Sequence, residues 1–129
     1  MRALLDTNAF LWASSGHPRL SSAAHAVIQD GANEIFLSAV TAWEIAIKYR
    51  RGRLDLLDDA PGDYVPKRMT LFGFQALPVA IQHALRVGEL PSIHNDPFDR
   101  MLVSQAQIER LPILTSDPNI ARYDVEVIW

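Results

Sequence analysis

Residues 1–10 read MRALLDTNAF, a short apolar run followed by three polar residues and a second apolar segment. Residues 3–5 are continuously apolar, as in a strand that is buried on both faces of a parallel sheet. Asp6, Thr7 and Asn8 come at the point where this strand ends. Residues of these types cap helices well, because their side-chain oxygens accept hydrogen bonds from the free amides of the first turn. The stretch therefore predicts a strand that passes directly into a helix.

The rest of the chain repeats this alternation of strand and helix. Short apolar runs predict further strands, and glycines or prolines separate them from segments with helical periodicity. Such alternation is typical of βαβ units, so we expect a three-layer α/β/α sandwich with a mostly parallel central sheet. Helices are predicted over residues 8–13, 21–30, 38–51, 61–71, 80–87 and 96–110, and further strands over 34–37, 74–77, 112–114 and 125–128.

Composition limits the classes of protein that fit. The 129 residues suit one domain, residues 1–129, and 49% of them are hydrophobic, which is enough for a buried core. The formal net charge of −3 gives no broad electrostatic attraction to nucleic acid. Cysteine is absent, which excludes disulfides and thiolate metal sites. No signal-peptide pattern and no long apolar run are present, so we expect a cytoplasmic protein without a membrane segment.

Two acidic residues follow predicted strands directly. Asp6 follows the first strand, and Asp117 in the segment ILTSDPNI follows the strand near residue 113. Ligands of open parallel sheets bind beyond the carboxyl ends of the strands, and right-handed crossovers bring those ends to one edge. The chain direction alone therefore predicts that Asp6 and Asp117 lie at the same edge of the sheet.

A third acid, Glu44, lies on a helix that is apolar nearly all round, which predicts a buried helix. Thr41, Glu44 and Lys48 are spaced three and four residues apart and form one narrow polar stripe. Glu44 lies two turns after the carboxyl end of the second strand, so it faces the edge that carries Asp6. The alternative is an ordinary surface ion pair between Glu44 and Lys48.

The fourth acid, Asp99, lies in the first turn of the helix predicted over residues 96–110. Asp96 is interpreted as the N-cap of this helix, with Pro97 at its first position. Asp99 could simply favour the helix dipole or form part of a capping box. It also borders the buried face of the helix, where a carboxylate needs a partner or a cation.

Four carboxylates at one edge repel one another unless a positive charge lies among them. Mg²⁺ and Mn²⁺ prefer oxygen ligands, and such ions activate water and stabilise a leaving oxygen in phosphodiester hydrolysis. Two other classes stay open. One is a metal-binding domain that recognises RNA or a partner without cleaving. The other is a phosphotransferase with an aspartyl nucleophile, which Thr7 and Asn8 disfavour because no second acid follows Asp6 two residues later.

Four segments of the chain, in order, resemble the PIN-domain ribonucleases, and within them the VapC-type toxins of bacterial toxin–antitoxin pairs. They are LLDTNAFLW, SAVTAWEIAIKYRRGRL, HNDPFDRMLVSQA and ILTSDPNIARYDVEVIW. Together they cover nearly the whole chain, and residues 54–91 match least. The resemblance implies an endoribonuclease that depends on Mg²⁺ or Mn²⁺, forms a homodimer and is silenced by a cognate antitoxin protein.

The resemblance also assigns residues. Its acidic positions, as catalytic groups and metal ligands, correspond to Asp6, Glu44, Asp99 and Asp117. Supporting positions correspond to Asn8, Thr115 and Ser116, and Asp96 adds an acid with a possible water-mediated role.

Several other residues carry weaker signals. In the basic segment KYRRGR, Lys48 and Arg50 could either suit the helix C-terminus or contact RNA phosphate. Arg100 is interpreted as a phosphate ligand or as the partner of an acid. For His94 we expect a hydrogen bond within its loop. The aromatic residues at helical spacing are expected in the core or at a dimer interface, namely Trp12, Trp43 and Phe98.

Overall fold

Five parallel strands form the central sheet of the protein. A computed structural model describes residues 1–129. The strand order across the sheet is β3-β2-β1-β4-β5. All four pairings are parallel, which confirms the prediction of a parallel sheet, and β3 lies at an edge as expected. The strands are β1 Arg2–Leu5, β2 Glu34–Ser38, β3 Gln75–Leu77, β4 Ile113–Leu114 and β5 Val127–Ile128.

Six α-helices connect the strands, and each of them was predicted to within about two residues at either end. They are α1 Thr7–Ser15, α2 Ser22–Gln29, α3 Ala39–Arg50, α4 Pro61–Phe72, α5 Ile81–Val87 and α6 Pro97–Glu109. Helix α4 continues through Pro66. A short 3₁₀ turn over Ile120–Arg122 was not predicted. None of the helices has the length and apolar character needed to span a membrane.

Alternate residues of the strands pack into two separate cores, one on each face of the sheet. In β1, Ala3 and Leu5 belong to the first core, whereas Leu4 belongs to the second. The first core is completed by residues of α1, α2 and α4, and the second by residues of α6 and the 3₁₀ turn. Because both faces are covered by helices, the expected three-layer sandwich is confirmed.

Helix α3 is less buried than its composition suggested. It packs against α4 and α6, and its residues Val40 and Ile45 belong to the two cores. Trp43, by contrast, is 61% exposed, and Tyr49 is also exposed. The expectation of a fully buried helix is therefore wrong, because apolar residues on every side of a helix cannot all meet a partner when only some sides are covered. Trp43 lies outside the core and packs edge-to-face on Phe98 of α6, and its alternative place at a dimer interface stays a prediction.

The order of the strands creates a switch point beside β1. The chain moves outward from β1 through β2 to β3 and then returns to place β4 on the other side of β1. Leu5 pairs with Leu114, and the backbone N–H of Asp6 donates to the carbonyl of Leu114. Ligand crevices of open α/β sheets form at such switch points, where the connections from two neighbouring strands lead in opposite directions across the sheet. The residues that directly follow β1 and β4 therefore flank the position where a site is expected.

Candidate active site

Asp6 is a buried N-cap at the switch point. Its Oδ1 accepts from the backbone N–H of Ala9 at 2.7 Å, and its Oδ2 accepts from the hydroxyl of Thr115 at 2.5 Å. Burial, together with the nearby charges of Asp117 and Glu44, raises the pKa of Asp6 to about 6, against the lowering effect of the two hydrogen bonds. The side chain of Asp6 therefore caps α1 and also belongs to the acidic cluster.

Glu44 is also buried, with 4% of its surface exposed. Its Oε1 accepts from the hydroxyl of Thr7 at 2.6 Å, and its Oε2 lies 2.5 Å from Nζ of Lys48. The Thr7 hydroxyl also lies 3.2 Å from that of Thr41. The ion pair considered from the sequence thus exists, but its acidic partner lies inside the protein rather than on the surface.

Asp96 and Asp99 occupy the start of α6. Oδ1 of Asp96 accepts from the backbone N–H groups of Phe98 and Asp99, so the N-cap interpretation of Asp96 is borne out. Oδ2 of Asp99 lies 3.1 Å from Nε2 of His94. Burial, together with the charges of neighbouring acids, Asp96 first among them, raises the pKa of Asp99 to about 7, against the lowering effect of the His94 hydrogen bond.

Asp117 begins the loop after β4. Its Oδ1 accepts from the backbone N–H of Asn119 at 2.8 Å, and its own N–H donates to Oγ1 of Thr115 at 2.9 Å. Thr115 therefore links Asp117 to Asp6, since the same hydroxyl donates to Asp6. Ser116 is exposed and its side chain makes no hydrogen bond, and the same holds for Asn8 on α1.

The structure shows a hydrogen-bonded cluster of His94, Tyr123 and Arg100 that the sequence did not predict. Nδ1 of His94 lies 2.8 Å from the hydroxyl of Tyr123, to which Arg100 also donates from one guanidinium nitrogen at 3.0 Å. The side chain of His94 was expected to bond within its own loop, but it instead contacts Tyr123, 29 residues away, and Asp99 in the first turn of α6. The one sequence signal was the presence of His94 five residues before Asp99.

Arg100 has a different role from the one expected. Its guanidinium donates to backbone carbonyls of the segment before α6, and the only side chain it contacts by hydrogen bond is Tyr123. We therefore correct both alternatives considered for Arg100, because its guanidinium has no acidic partner and is engaged by these groups rather than free for RNA phosphate. Of the other two basic candidates, Lys48 pairs with Glu44, and Arg50 is exposed without an ion pair. The carbonyl acceptors are those of Val87, Leu90, Pro91 and His94.

The four acids share one edge but not one coordination shell. Their charges are close enough to raise the pKa of Asp6 and Asp99. No three acidic or histidine side chains, however, are placed so that they could hold one ion together. In addition, both oxygens of Asp6 and of Glu44 are engaged by protein donors. The expectation that all four acids bind a common cation directly is thus not met by this arrangement.

A hydrated divalent cation nevertheless fits the donor set. Oδ1 of Asp99 and Oδ2 of Asp117 have no hydrogen-bond partner in the protein. Mg²⁺ is commonly held by only one or two carboxylates and keeps several of its waters. Two free carboxylate oxygens beside two further negative charges therefore suit such an ion.

Comparison with known proteins identifies the fold and the family. A family model described as PIN domain matches residues 3–126. The chain belongs to the PIN domain family. This PIN domain is 44% identical over 72 residues to a protein named Ribonuclease VapC16 from Mycobacterium tuberculosis, which corresponds to 53% of the chain and 49% of that protein. The alignment thus covers about half the length of this relative.

Solved structures share the fold of this PIN domain. VapBC2 from Rickettsia felis, solved with a DNA fragment from its promoter, matches with a TM-score of 0.68 at 15% identity and covers 98% of this chain and 97% of that chain. FitAcB from Neisseria gonorrhoeae matches with a TM-score of 0.62 at 21% identity, covering 98% and 96%. These likenesses support the architecture described above.

Proposed function

We propose that this PIN domain is a divalent-metal-dependent endoribonuclease that hydrolyses RNA phosphodiester bonds and acts as the toxin of a toxin–antitoxin pair. The observation that carries the proposal is the meeting of Asp6, Glu44, Asp99 and Asp117 at the switch point of a PIN sheet. The 44% identity to a protein named as a ribonuclease supports it. We further propose a single domain over residues 1–129, a cytoplasmic location and a homodimer.

Asp99 and Asp117 would hold the cation, Mg²⁺ or Mn²⁺, through their free oxygens. When bound, such an ion polarises a phosphoryl oxygen and lowers the pKa of a bound water. Asp6 would add negative charge that attracts the cation. Glu44 is paired with Lys48 and accepts from Thr7, so it would mainly hold the start of α1 beside the site. Thr115 fixes the spacing of the acids, because it donates to Asp6 and accepts from the N–H of Asp117.

The substrate phosphate needs a cation on the protein side as well. Arg50 ends α3, the helix that carries Glu44, and it is exposed without an ionic partner. Guanidinium groups bind phosphate through paired hydrogen bonds. Arg50 is therefore our candidate for an RNA backbone contact, whereas Lys48 serves first to neutralise Glu44.

Cleavage of a structured RNA by the purified chain tests this proposal. We expect cleavage with added Mg²⁺ or Mn²⁺, no cleavage after chelation with EDTA, and restoration when the metal is returned. Asp99→Asn and Asp6→Asn should abolish cleavage, whereas Asp58→Asn, at an exposed acid outside the site, should leave it unchanged. Cleavage that persists in EDTA, or full activity of both site variants, would contradict the proposal.

A recognition domain that does not cleave is the second candidate. It is favoured by the finding that no three side chains form a ready-made ion shell. This candidate predicts RNA binding that requires the metal, with no shortened product under any metal condition. The same titration therefore separates the two functions.

The antitoxin is the partner that the toxin proposal requires. The neighbouring reading frame should encode a small protein that copurifies with this chain and suppresses its RNA cleavage. Suppression should be lost when the two proteins are separated under denaturing conditions and the PIN domain alone is refolded. If no encoded neighbour binds the chain, the toxin assignment fails, although the endoribonuclease assignment still stands.

A further inference from the structure

A line of hydrogen bonds leads from the guanidinium of Arg100 to the carboxylate of Asp99. Arg100 donates to the Tyr123 hydroxyl at 3.0 Å, this hydroxyl lies 2.8 Å from Nδ1 of His94, and Nε2 of His94 lies 3.1 Å from Oδ2 of Asp99. Tyr123 is 5% exposed, so its hydroxyl has little access to water. The Tyr123 hydroxyl must therefore satisfy its hydrogen bonds within the line.

The chemistry of the end groups fixes the direction of every bond. Arg100 can only donate, so the Tyr123 oxygen accepts from it. The hydroxyl hydrogen of Tyr123 then needs an acceptor, since buried hydroxyls are nearly always paired, and Nδ1 of His94 is the other partner within reach. An accepting Nδ1 carries no proton, which places the proton of the neutral imidazole on Nε2. Nε2 of His94 therefore donates to Asp99.

The line leaves Asp99 with two unlike oxygens. Oδ2 is held by His94, whereas Oδ1 has no partner in the protein. Ligating carboxylates are commonly oriented by such outer hydrogen bonds, which set both the direction of the side chain and its affinity for the ion. The arrangement holds one oxygen still and presents the other towards the edge where Asp117 lies.

We propose that His94 is a positioning residue that aims Asp99 at a divalent cation, and that Tyr123 and Arg100 set the tautomer in which His94 does so. The inference rests on the function proposed above for the same site. The proposal also gives a role to the hydrogen bonds from Arg100 to the loop carbonyls between Val87 and His94. These bonds anchor the start of the line, so that the position of Asp99 depends on the whole segment before α6.

The tautomer of His94 is measurable in the metal-free chain. Long-range proton–nitrogen correlation spectra of labelled protein should show the proton of His94 on Nε2 and a bare Nδ1. His25 is exposed and makes no side-chain hydrogen bond, so it should show both neutral tautomers and serves as the internal reference. A proton on Nδ1 of the neutral ring would overturn the inference.

Binding of Mn²⁺ alone, measured by calorimetry, tests the positioning. Tyr123→Phe keeps the buried ring but removes the hydroxyl, and we expect its Mn²⁺ affinity to fall by about 10–100-fold, the usual cost of losing an outer hydrogen bond to a ligand. Tyr49→Phe, at an exposed tyrosine of α3, should bind Mn²⁺ like the unmodified chain. Unchanged affinity in Tyr123→Phe would contradict the proposal.

A pair of substitutions at His94 separates positioning from packing. A glutamine carries both a donor and an acceptor, so His94→Gln imitates the proposed tautomer and should keep Mn²⁺ affinity close to that of the unmodified chain. His94→Leu has similar bulk without polar atoms and should lose about 10–100-fold. Equal affinities of the two variants would show that His94 only fills space and would overturn the proposal.

The metal dependence of RNA cleavage provides a second measurement. In His94→Leu and Tyr123→Phe the metal concentration for half-maximal cleavage should rise, and saturating metal should restore most of the rate. A purely structural defect would lower the rate at every metal concentration.

These readouts distinguish the two proposals. A chain that binds Mn²⁺ with the expected sensitivity to residues 94 and 123 but never cleaves RNA would end the proposed function and leave the positioning of Asp99 intact. A chain that cleaves RNA while the variants bind Mn²⁺ normally would end only the positioning proposal. A chain that does not bind Mn²⁺ at all would end both.

Discussion

The four acids of the candidate site form two pairs with different surroundings. Asp6 and Glu44, the buried pair, are at most 5% exposed, and both oxygens of each side chain are engaged by protein donors. Asp99 and Asp117, the rim pair, are only partly buried, and each has one oxygen without a partner. All four carry the same functional group, yet only the rim pair presents an oxygen to a ligand.

This difference indicates a division of labour. A carboxylate that accepts hydrogen bonds at both oxygens has a fixed position and mainly contributes negative charge to its surroundings. A carboxylate with one oxygen held and one free has a fixed direction and can also bind. We therefore propose that the rim pair provides the ligands, whereas the buried pair is held in place and Asp6 contributes negative charge to the site. The predictions below compare the two pairs.

The largest effect should follow from substitution in the rim pair. Asp117→Asn keeps the acceptor for the Asn119 N–H but replaces the free carboxylate oxygen with a neutral amide. We expect RNA cleavage to fall by about 10²–10³-fold or more, the scale on which loss of one preorganised charge-stabilising group lowers a rate. Single-turnover cleavage with saturating RNA measures it, together with Mn²⁺ affinity, which should fall in parallel.

The control for Asp117→Asn is Asp124→Asn, an exposed acid seven residues later in the chain. If Asp117→Asn binds Mn²⁺ normally and Asp6→Asn loses Mn²⁺ instead, the assignment of ligands to the rim pair is wrong and the comparison is reversed.

The second effect concerns stability and follows from Asp6 and Asp99, one acid of each pair. Because the pKa of Asp6 is raised from 3.8 to about 6 in the folded state, the folded chain binds more protons than the unfolded chain between these values. The free energy of unfolding should therefore fall as the pH rises through this range, by up to about 3 kcal/mol from this group. Asp99, with a pKa raised to about 7, adds a fall of the same sign that extends to higher pH.

Urea unfolding of the metal-free chain at about pH 4 and about pH 8 measures this fall. Asp6→Asn keeps a good N-cap at this position and removes the buried charge, so it should be more stable than the unmodified chain at about pH 8 and similar to it at about pH 4. Mn²⁺ should raise the stability of the unmodified chain at the higher pH. A stability that rises between these pH values would contradict the assigned burial of Asp6.

A third, smaller effect should follow from the link between the pairs. Thr115→Val removes the hydroxyl that donates to Asp6 and accepts from the N–H of Asp117. Leaving two buried groups without this partner should lower the free energy of unfolding by about 1–3 kcal/mol. Thr115→Ser retains the hydroxyl and is the matched control. Equal stability of the valine and serine variants would show that the link contributes nothing.

The comparison also explains how far the sequence could predict this site. The strands, the helices and the four acids were predicted because each depends on local pattern, namely an apolar run, a helical period or a cap. Whether Asp6 and Glu44 have saturated oxygens depends on Thr115 and Thr7, which lie 109 and 37 residues away along the chain. The sequence does not record such distant pairings, so the division into two pairs could not be predicted.

The errors have the same origin. Arg100 follows an acid of the site, but its direction is decided by loop carbonyls of residues 87–94, most of which lie in the part of the chain that matched least. Trp43 precedes Glu44, yet it is 61% exposed because only an edge-to-face contact with Phe98 of α6 covers it. His94 and Tyr123 meet although 29 residues separate them. Chemistry-bearing residue types were readable from the sequence, whereas their orientation required the packed structure.

The smallest effect is expected at Arg50, the exposed cation that we propose as a contact for RNA phosphate. Arg50→Gln removes a charge without an ionic partner, so stability should not change, while RNA binding should weaken a few-fold. The slope of log affinity against log salt concentration should fall by about 1, as for the loss of a single phosphate contact. Arg2→Gln is the control, because Arg2 begins β1 at the other end of the strand from Asp6, where it pairs with the exposed Glu34 and lies over the ring of Phe36. If both variants reduce the slope equally, RNA responds to net charge alone and Arg50 is not a specific contact. A change confined to Arg50→Gln would instead place the RNA backbone along the end of α3, the helix that carries the buried Glu44.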